Sequence, residues 1–212
     1  MQESFVGTWT HETQLSGANL HSLRDLNRRF LELAATARGE WACRGGLSAG
    51  ILVHLAPLSQ PQREAAADCP YALFDLRFRD AAHWQLRLQN ARHWRVADEP
   101  GEDAATVEFV RLALFYAWHI ASVAGITAQL LLGMNGPTAE AFRAATVDSL
   151  PSLAVSESAH LSARWSDCAV YWSALVGAAS GGNPATLRRV QLHGLQLAAA
   201  SRLPYANARQ PV

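Results

Sequence analysis

The chain has 212 residues, enough for one large helical domain or two small ones, and its 18 arginines are balanced by 18 aspartates and glutamates, with no lysine. A formal charge of zero and a pI near 7.1 exclude a protein that works by non-specific attraction to phosphate, and exclude a polybasic membrane anchor. The 50% apolar content excludes a disordered chain, and 39 Ala and 28 Leu against three Ile favour helices, because Ala and Leu lose least on entering one.

The expected fold class is therefore all-α, with one or two short strands at most. Met1 to Phe5 has no basic start leading into an apolar stretch, so no secretory signal is expected and the cytoplasm is the expected compartment. A helix opens at His21 or Ser22, with Leu23, Leu26, Phe30, Leu33 and Ala37 recurring every three or four residues along one face. After the breaker Gly45-Gly46, Leu47 to Leu55 reads as a short helix. Ser59 with Gln62 forms a capping box for another, which runs to Ala67 and stops at Asp68-Cys69-Pro70.

Tyr71 to Arg79 alternates loosely, Phe74, Leu76 and Phe78 against Asp75, Arg77 and Arg79, a strand-like pattern, and Asp80 then caps a helix toward His93. Ala97 to Asp103, with Pro100-Gly101 and four acids, is the expected linker. Beyond it the spacing predicts a long helix from Ala104 to Ala124, another to Met134, a start at Gly136-Pro137-Thr138, and short helices over Asp148 to Val155 and Ser166 to Ala179. Gly181-Gly182 breaks the last of these, and Asn183-Pro184 opens a final helix to Ser201. Leu112 to Pro137 contains no Asp, Glu or Arg, and about 20 apolar residues suffice to cross a bilayer. Its interruptions at His119, Ser122, Gly125, Gln129 and Asn135 point instead to two consecutive core helices meeting near Gly125. Cys43, Cys69 and Cys168 are widely spaced with no Cys-x-x-Cys, which gives no disulfide framework and no zinc knuckle; three buried thiols are expected.

The two halves, 1–97 and 98–212, resemble each other. A gap-free shift of 87 residues places Arg24 on Arg111, Ala34 on Ala121, Gly46 on Gly133, Ala67 on Ala154, Arg77 on Arg164, Asp80 on Asp167 and Leu88 on Leu175. The order of features repeats as well, from a long helix through a glycine and a capped short helix to an Arg-aromatic pair. This predicts a tandem duplication folded as an internal pseudo-dimer whose halves share one core, with the chain a monomer or a weak homodimer.

Asp25-Leu26-Asn27-Arg28-Arg29-Phe30-Leu31-Glu32-Leu33-Ala34 resembles the opening helix of the D subunit of the flagellar master transcriptional regulator, FlhD. Leu131-Leu132-Gly133-Met134, Leu150-Pro151-Ser152-Leu153-Ala154 and Arg164-Trp165 are similar to that family's leucine-glycine turn, its Leu-Pro helix and its Arg-Phe pair, and Leu76-Arg77-Phe78 repeats the last of these. The resemblance implies a small all-helical homodimer that acts in transcription through a partner subunit. This chain has about twice the family's length. Phe74 and Leu161 stand where the family commonly has a cysteine linking two protomers, so the resemblance implies that a covalent tandem replaces the disulfide dimer.

Three stretches could carry chemistry. Gly46-Leu47-Ser48-Ala49-Gly50 fits the Gly-x-Ser-x-Gly pattern of a hydrolase nucleophile elbow, with Asp148 or Asp167 and then His193 in the Ser, Asp, His order of that class. An elbow needs a strand running into a strained turn on a parallel sheet. The competing reading is a glycine-rich turn opening a helix capped by Ser48. Among the eight histidines, Glu157-Ser158-Ala159-His160 matches one Glu-x-x-His half of a di-iron site, but no second half follows, so no metal ligand and no cofactor are expected. His119, three turns after Glu108, reads as a core histidine, and His83 and His93 could meet only by folding.

Leu76 to Val96 holds five arginines against the single acid Asp80, interleaved with Phe78, Trp84 and Trp94. Guanidinium pairs bidentately with carboxylate or phosphate and stacks on rings, which makes Arg77, Arg79, Arg87, Arg92, Arg95 and Trp94 the candidate partner-binding residues. The competing reading is a solvated helix face with its tryptophans turned inward. Acids at Asp98-Glu99 and Glu102-Asp103 would blunt phosphate binding, so the expected partner is an acidic protein, with DNA reached only indirectly and no membrane. The expected function is a non-enzymatic helical regulator or adaptor, such as a transcriptional regulator acting through a protein partner; the alternative is a serine hydrolase using Ser48.

Overall fold

The computed structural model describes residues 17–36, 45–90 and 103–201, and among them it holds ten α-helices and one two-stranded antiparallel sheet. The first half opens with α1 (Gly17–Thr36), which buries Leu23, Leu26, Asn27, Phe30, Leu31 and Ala34 and begins four residues ahead of the expected start. Ser48 caps α2 (Ala49–Leu55), and the Ser59–Gln62 capping box opens α3 (Gln60–Ala67), with the Ser59 amide donating to Gln62 Oε1 at 2.8 Å. The alternation from Phe74 to Arg79 holds in burial, with Phe74, Leu76 and Phe78 fully buried, while Arg77 and Arg79 are exposed. Only β1 (Phe74–Asp75) is strand, because the backbone turns at Arg77 (φ 55°) before α4 (Ala81–Asn90) begins.

The second half comprises α5 (Ala104–Val123), α6 (Gly125–Leu132), α7 (Gly136–Ala144), a 3-10 turn at Val147–Ser149, α8 (Leu150–Glu157), a second 3-10 turn at Ser158–His160, β2 (Ser162–Ala163) and α9 (Ala169–Gly181). A last helix, α10 (Pro184–Ala200), starts at the Asn183 side chain, which accepts from the Ala185 amide at 3.0 Å. The apolar run from Leu112 is divided between α5 and α6 by the break at Ala124, and no helix among the described residues is long and apolar enough to cross a membrane.

Elements of the two halves recur at a near-constant offset. α1 and α5 are both 20 residues long and begin and end 87 apart, and Gly46 and Gly133, also 87 apart, share φ 75°. Ser48 and Asn135 keep the same offset as side-chain caps, accepting from the amides of Ile51 and Thr138. Past the strands the offset is 88. The positive φ of Arg77 (55°) returns at Trp165 (53°), and the indoles of Trp84 and Trp172 each donate to a carbonyl eight residues upstream, of Leu76 at 3.0 Å and Arg164 at 2.9 Å. The gap-free shift therefore misaligns the Arg-aromatic pairs by one. Arg77 corresponds to Trp165 and Asp80 to Cys168, because the second half carries one more residue ahead of β2, where its 3-10 turns lie.

β1 and β2 join the halves. Phe74 pairs with Ala163 and Asp75 with Ser162, and a shift of 88 exchanges these two pairs with one another. Around them the segment of each half donates to a carbonyl just ahead of the other half's left-handed glycine, Ala72 to Leu131 and Ala163 to Gly45, both at 2.8 Å. The buried side chains of both halves form one continuous cluster, with Phe30, Phe74, Phe109 and Trp172 in ring contact at its centre. Each such aromatic contributes on the order of 1.5–3 kcal/mol through its removal from water. The domain boundary expected at 97/98, most of the linker, His93 and Cys43 lie outside the described residues.

Candidate functional site

Trp84 sits in the first turn of α4 with its ring fully buried against Phe78 and Phe142, so the aromatics at 78 and 84 belong to the core. Arg77 and Arg79 remain outside. Arg77 pairs with Asp80 at 2.6 Å, and the Arg79 carbonyl accepts from Asn135 Nδ2 at 2.6 Å, which seats this turn on the N-terminus of α7. Arg92, Trp94 and Arg95 lie outside the described residues.

Arg87 departs from the expected arginine face. Its Nε donates to Glu157 Oε1 at 2.7 Å, and the Glu157 side chain is 0% exposed. Burying a lone carboxylate is costly, so the guanidinium that neutralises it is held at the joint between α4 and α8 and is not free to meet a partner. The other oxygen, Oε2, lies 2.7 Å from His83 Nε2, and the His160 ring stands perpendicular to that of His83 with centroids 5.4 Å apart. One ligand atom from each of His83, Glu157 and His160 falls within 4.8 Å of the others. Burial lowers the basicity of His160, and the Glu157 carboxylate opposes that shift.

This grouping differs from the sequence expectation of no metal constellation. Glu157 and His160 are the Glu-x-x-His pair seen in the sequence, and the residue that joins them is His83, 74 positions away. The alternating strand at 74–79 and the Asp80 cap, whose carboxylate accepts from the His83 amide at 3.0 Å, placed His83 at a helix start. Nothing in the neighbouring residues encodes the direction of that helix.

A second polar centre lies on the seam between the halves. Arg164 is nearly buried, donates to the Leu131 carbonyl at 3.0 Å and stacks on the Trp165 ring at 4.6 Å. Burial pulls its guanidinium down to about 10, countered by the Asp75 carboxylate, whose own basicity burial raises. Gly133 is required here twice over, by its left-handed φ and because a Cβ would fall 2.5 Å from the guanidinium. The rings of Tyr71 and Tyr171 also contact Trp165, and their hydroxyls meet at 3.0 Å beside Cys69, whose thiol burial pushes up to about 12. Cys168 is only half-buried, unlike the expected core thiol.

Ser48 Oγ accepts from the Ile51 amide at 3.4 Å as the cap of α2, and among the described residues no histidine or carboxylate is hydrogen-bonded to it. The strands among those residues are two-residue segments, so the parallel sheet an elbow requires is not among them. His119 is exposed on α5, where a core position was expected, and Glu108 pairs with Arg111 at 2.6 Å. An open cleft of about 620 Å³ lies beside the packed helices α4 and α7, lined by Leu88, Pro137, Ala141 and Ala144 together with Gln85, Gln89 and Glu140. Leu86, 60% exposed, projects from the same helix α4. Comparison of the chain with protein-family models, with curated proteins and with solved structures gave no match.

Proposed function

We propose that the protein is a non-enzymatic helical adaptor of FlhD-like construction, a covalent pseudo-dimer that acts in transcription through an acidic protein partner. The observation that carries this reading is the repeated geometry: equal long helices 87 apart, equal left-handed turns, and a β1–β2 pairing that a shift of 88 exchanges with itself. An isologous contact between equivalent segments is how homodimers close. Here the two copies are on one chain, and the buried guanidinium at the seam, that of Arg164, serves packing.

The partner surface in this reading is the Arg77–Arg79 turn with the neighbouring α4–α7 cleft, where exposed guanidinium stands beside apolar surface. Arg87 is not part of it. Affinity capture from the source's own lysate, with and without nuclease, tests the reading against a variant with Arg77→Glu and Arg79→Glu. The expected result is a specific protein retained through nuclease and lost with the variant. Retention only through nucleic acid, or an unchanged catch with the variant, would count against it.

A further inference from the structure

We propose that His83, Glu157 and His160 form a site for a divalent transition metal, of which zinc is the member used in the test below. The site joins the start of α4 to the end of α8 and the 3-10 turn behind it. Two imidazoles and one carboxylate oxygen are a donor set that suits zinc and its first-row neighbours, and suits magnesium and calcium poorly, since those prefer oxygen throughout.

The arrangement around Glu157 distinguishes a site from a buried ion pair. Arg87 neutralises the carboxylate through Oε1 and His83 satisfies Oε2, so the ion pair is complete without His160, whose ring nonetheless stands against His83 with a ligand atom within 4.8 Å of both partners. Arg87 fixes the plane of the carboxylate and leaves Oε2 turned toward His83, at 2.7 Å from its Nε2. A ligand oriented by a hydrogen bond on its far side is the usual outer-sphere pattern of a metal centre. Glu157 and His160 lie three residues apart on one continuous helical segment, as required for two side chains to meet one ion.

Access is present from one side. The Glu157 side chain is fully buried and that of His83 is 13% exposed, while His160 is half-buried at the surface. Closing the 4.8 Å spread to the roughly 3.3 Å between ligand atoms of a tetrahedral zinc asks for a shift on the order of 1 Å. His160, with no side-chain hydrogen bond among the described residues, is the ligand free to make it. Three protein ligands leave the fourth position to water, on the His160 side.

The test is a zinc titration of the full chain by calorimetry, with cobalt as a visible probe of coordination. The expected result is one equivalent bound per chain, a tetrahedral cobalt absorption band, and a zinc-dependent rise in melting temperature. His160→Ala should weaken binding at least tenfold with helix content unchanged, while His119→Ala, which removes an exposed histidine elsewhere, should change nothing. In the unsubstituted protein, zinc should shift the imidazole resonances of two histidines together, a readout that survives if the variant misfolds. Absence of stoichiometric binding, or binding that persists in His160→Ala and falls in His119→Ala, would overturn the site and leave the adaptor reading untouched.

Discussion

At the scale of single residues, the chain places uncharged polar groups where ionisation would be costly. Cys69, Tyr71 and Tyr171 share one buried pocket, and burial raises all three above their ordinary values. For Cys69 the window runs from 9.0 to about 12. Below it the thiol keeps its proton folded or unfolded; within it the unfolded chain releases a proton that the folded chain retains, so stability falls as pH rises. Both tyrosines add in the same direction. The expected outcome is a cooperative loss of helix in that window, with tyrosinate absorbance rising together with it. Tyrosine ionisation completed while the helical signal stays intact would contradict this.

Gly194 is the companion case. The Tyr71 hydroxyl packs against it, held by Tyr171 and by the Gln191 carbonyl at 3.1 Å. Gly194→Ala would gain about 1 kcal/mol of helix propensity but lose about 1–3 kcal/mol to overpacking against a hydroxyl fixed on two sides. The second effect wins, and the urea midpoint should fall. Neither role can be read from the sequence, where Gly194 is one interruption in an ordinary amphipathic helix. Asn27 is similar. Its position within the first long helix was legible, but not that its buried amide donates to the Ala67 and Tyr71 carbonyls and accepts from Leu73.

At the scale of elements, local signals were most reliable where a side chain acts on its own helix. The Ser59–Gln62 box, the Asn183 cap and the break at Gly181-Gly182 are at their expected places, because capping chemistry spans three or four residues and needs no distant partner. The strand expected over 71–79 was overextended for the opposite reason. Alternation reports one buried and one exposed side, and Leu76 and Phe78 against Arg77 and Arg79 achieve that in a turn.

The equivalent caps Ser48 and Asn135 give a paired prediction. Asn135 accepts from Thr138 at 2.8 Å and donates to Arg79 at 2.6 Å, whereas Ser48 makes a single contact at 3.4 Å. Asn135→Ala should cost about 1–2 kcal/mol in denaturant unfolding, and Ser48→Ala about 0.5 kcal/mol. An equal cost at both sites would show that the Arg79 contact contributes nothing.

At the scale of the molecule, one continuous core spanning both halves predicts one unfolding transition and a monomer of 23.0 kDa by light scattering. The fragments 1–97 and 98–212, expressed separately, should each be poorly folded, since β1 loses β2 and the central aromatic contacts divide between them. Mixing them should restore helix in a concentration-dependent way. Two independent melting transitions, or a stable dimer of the intact chain, would contradict the pseudo-dimer picture.

By itself the sequence determined the helical class and most helix ends, since composition, capping and periodicity act within a few residues of chain. Tertiary structure decided what those elements hold. The one-residue slip between the repeats was set where β1 meets β2, because register follows from pairing and not from identity. Arg87 left the expected binding face because a buried carboxylate 70 residues away needed a counter-charge. His83 met Glu157 and His160 only because α4 packs beside the end of α8; side chains on separate helices converge through the direction of packing, which no local spacing encodes.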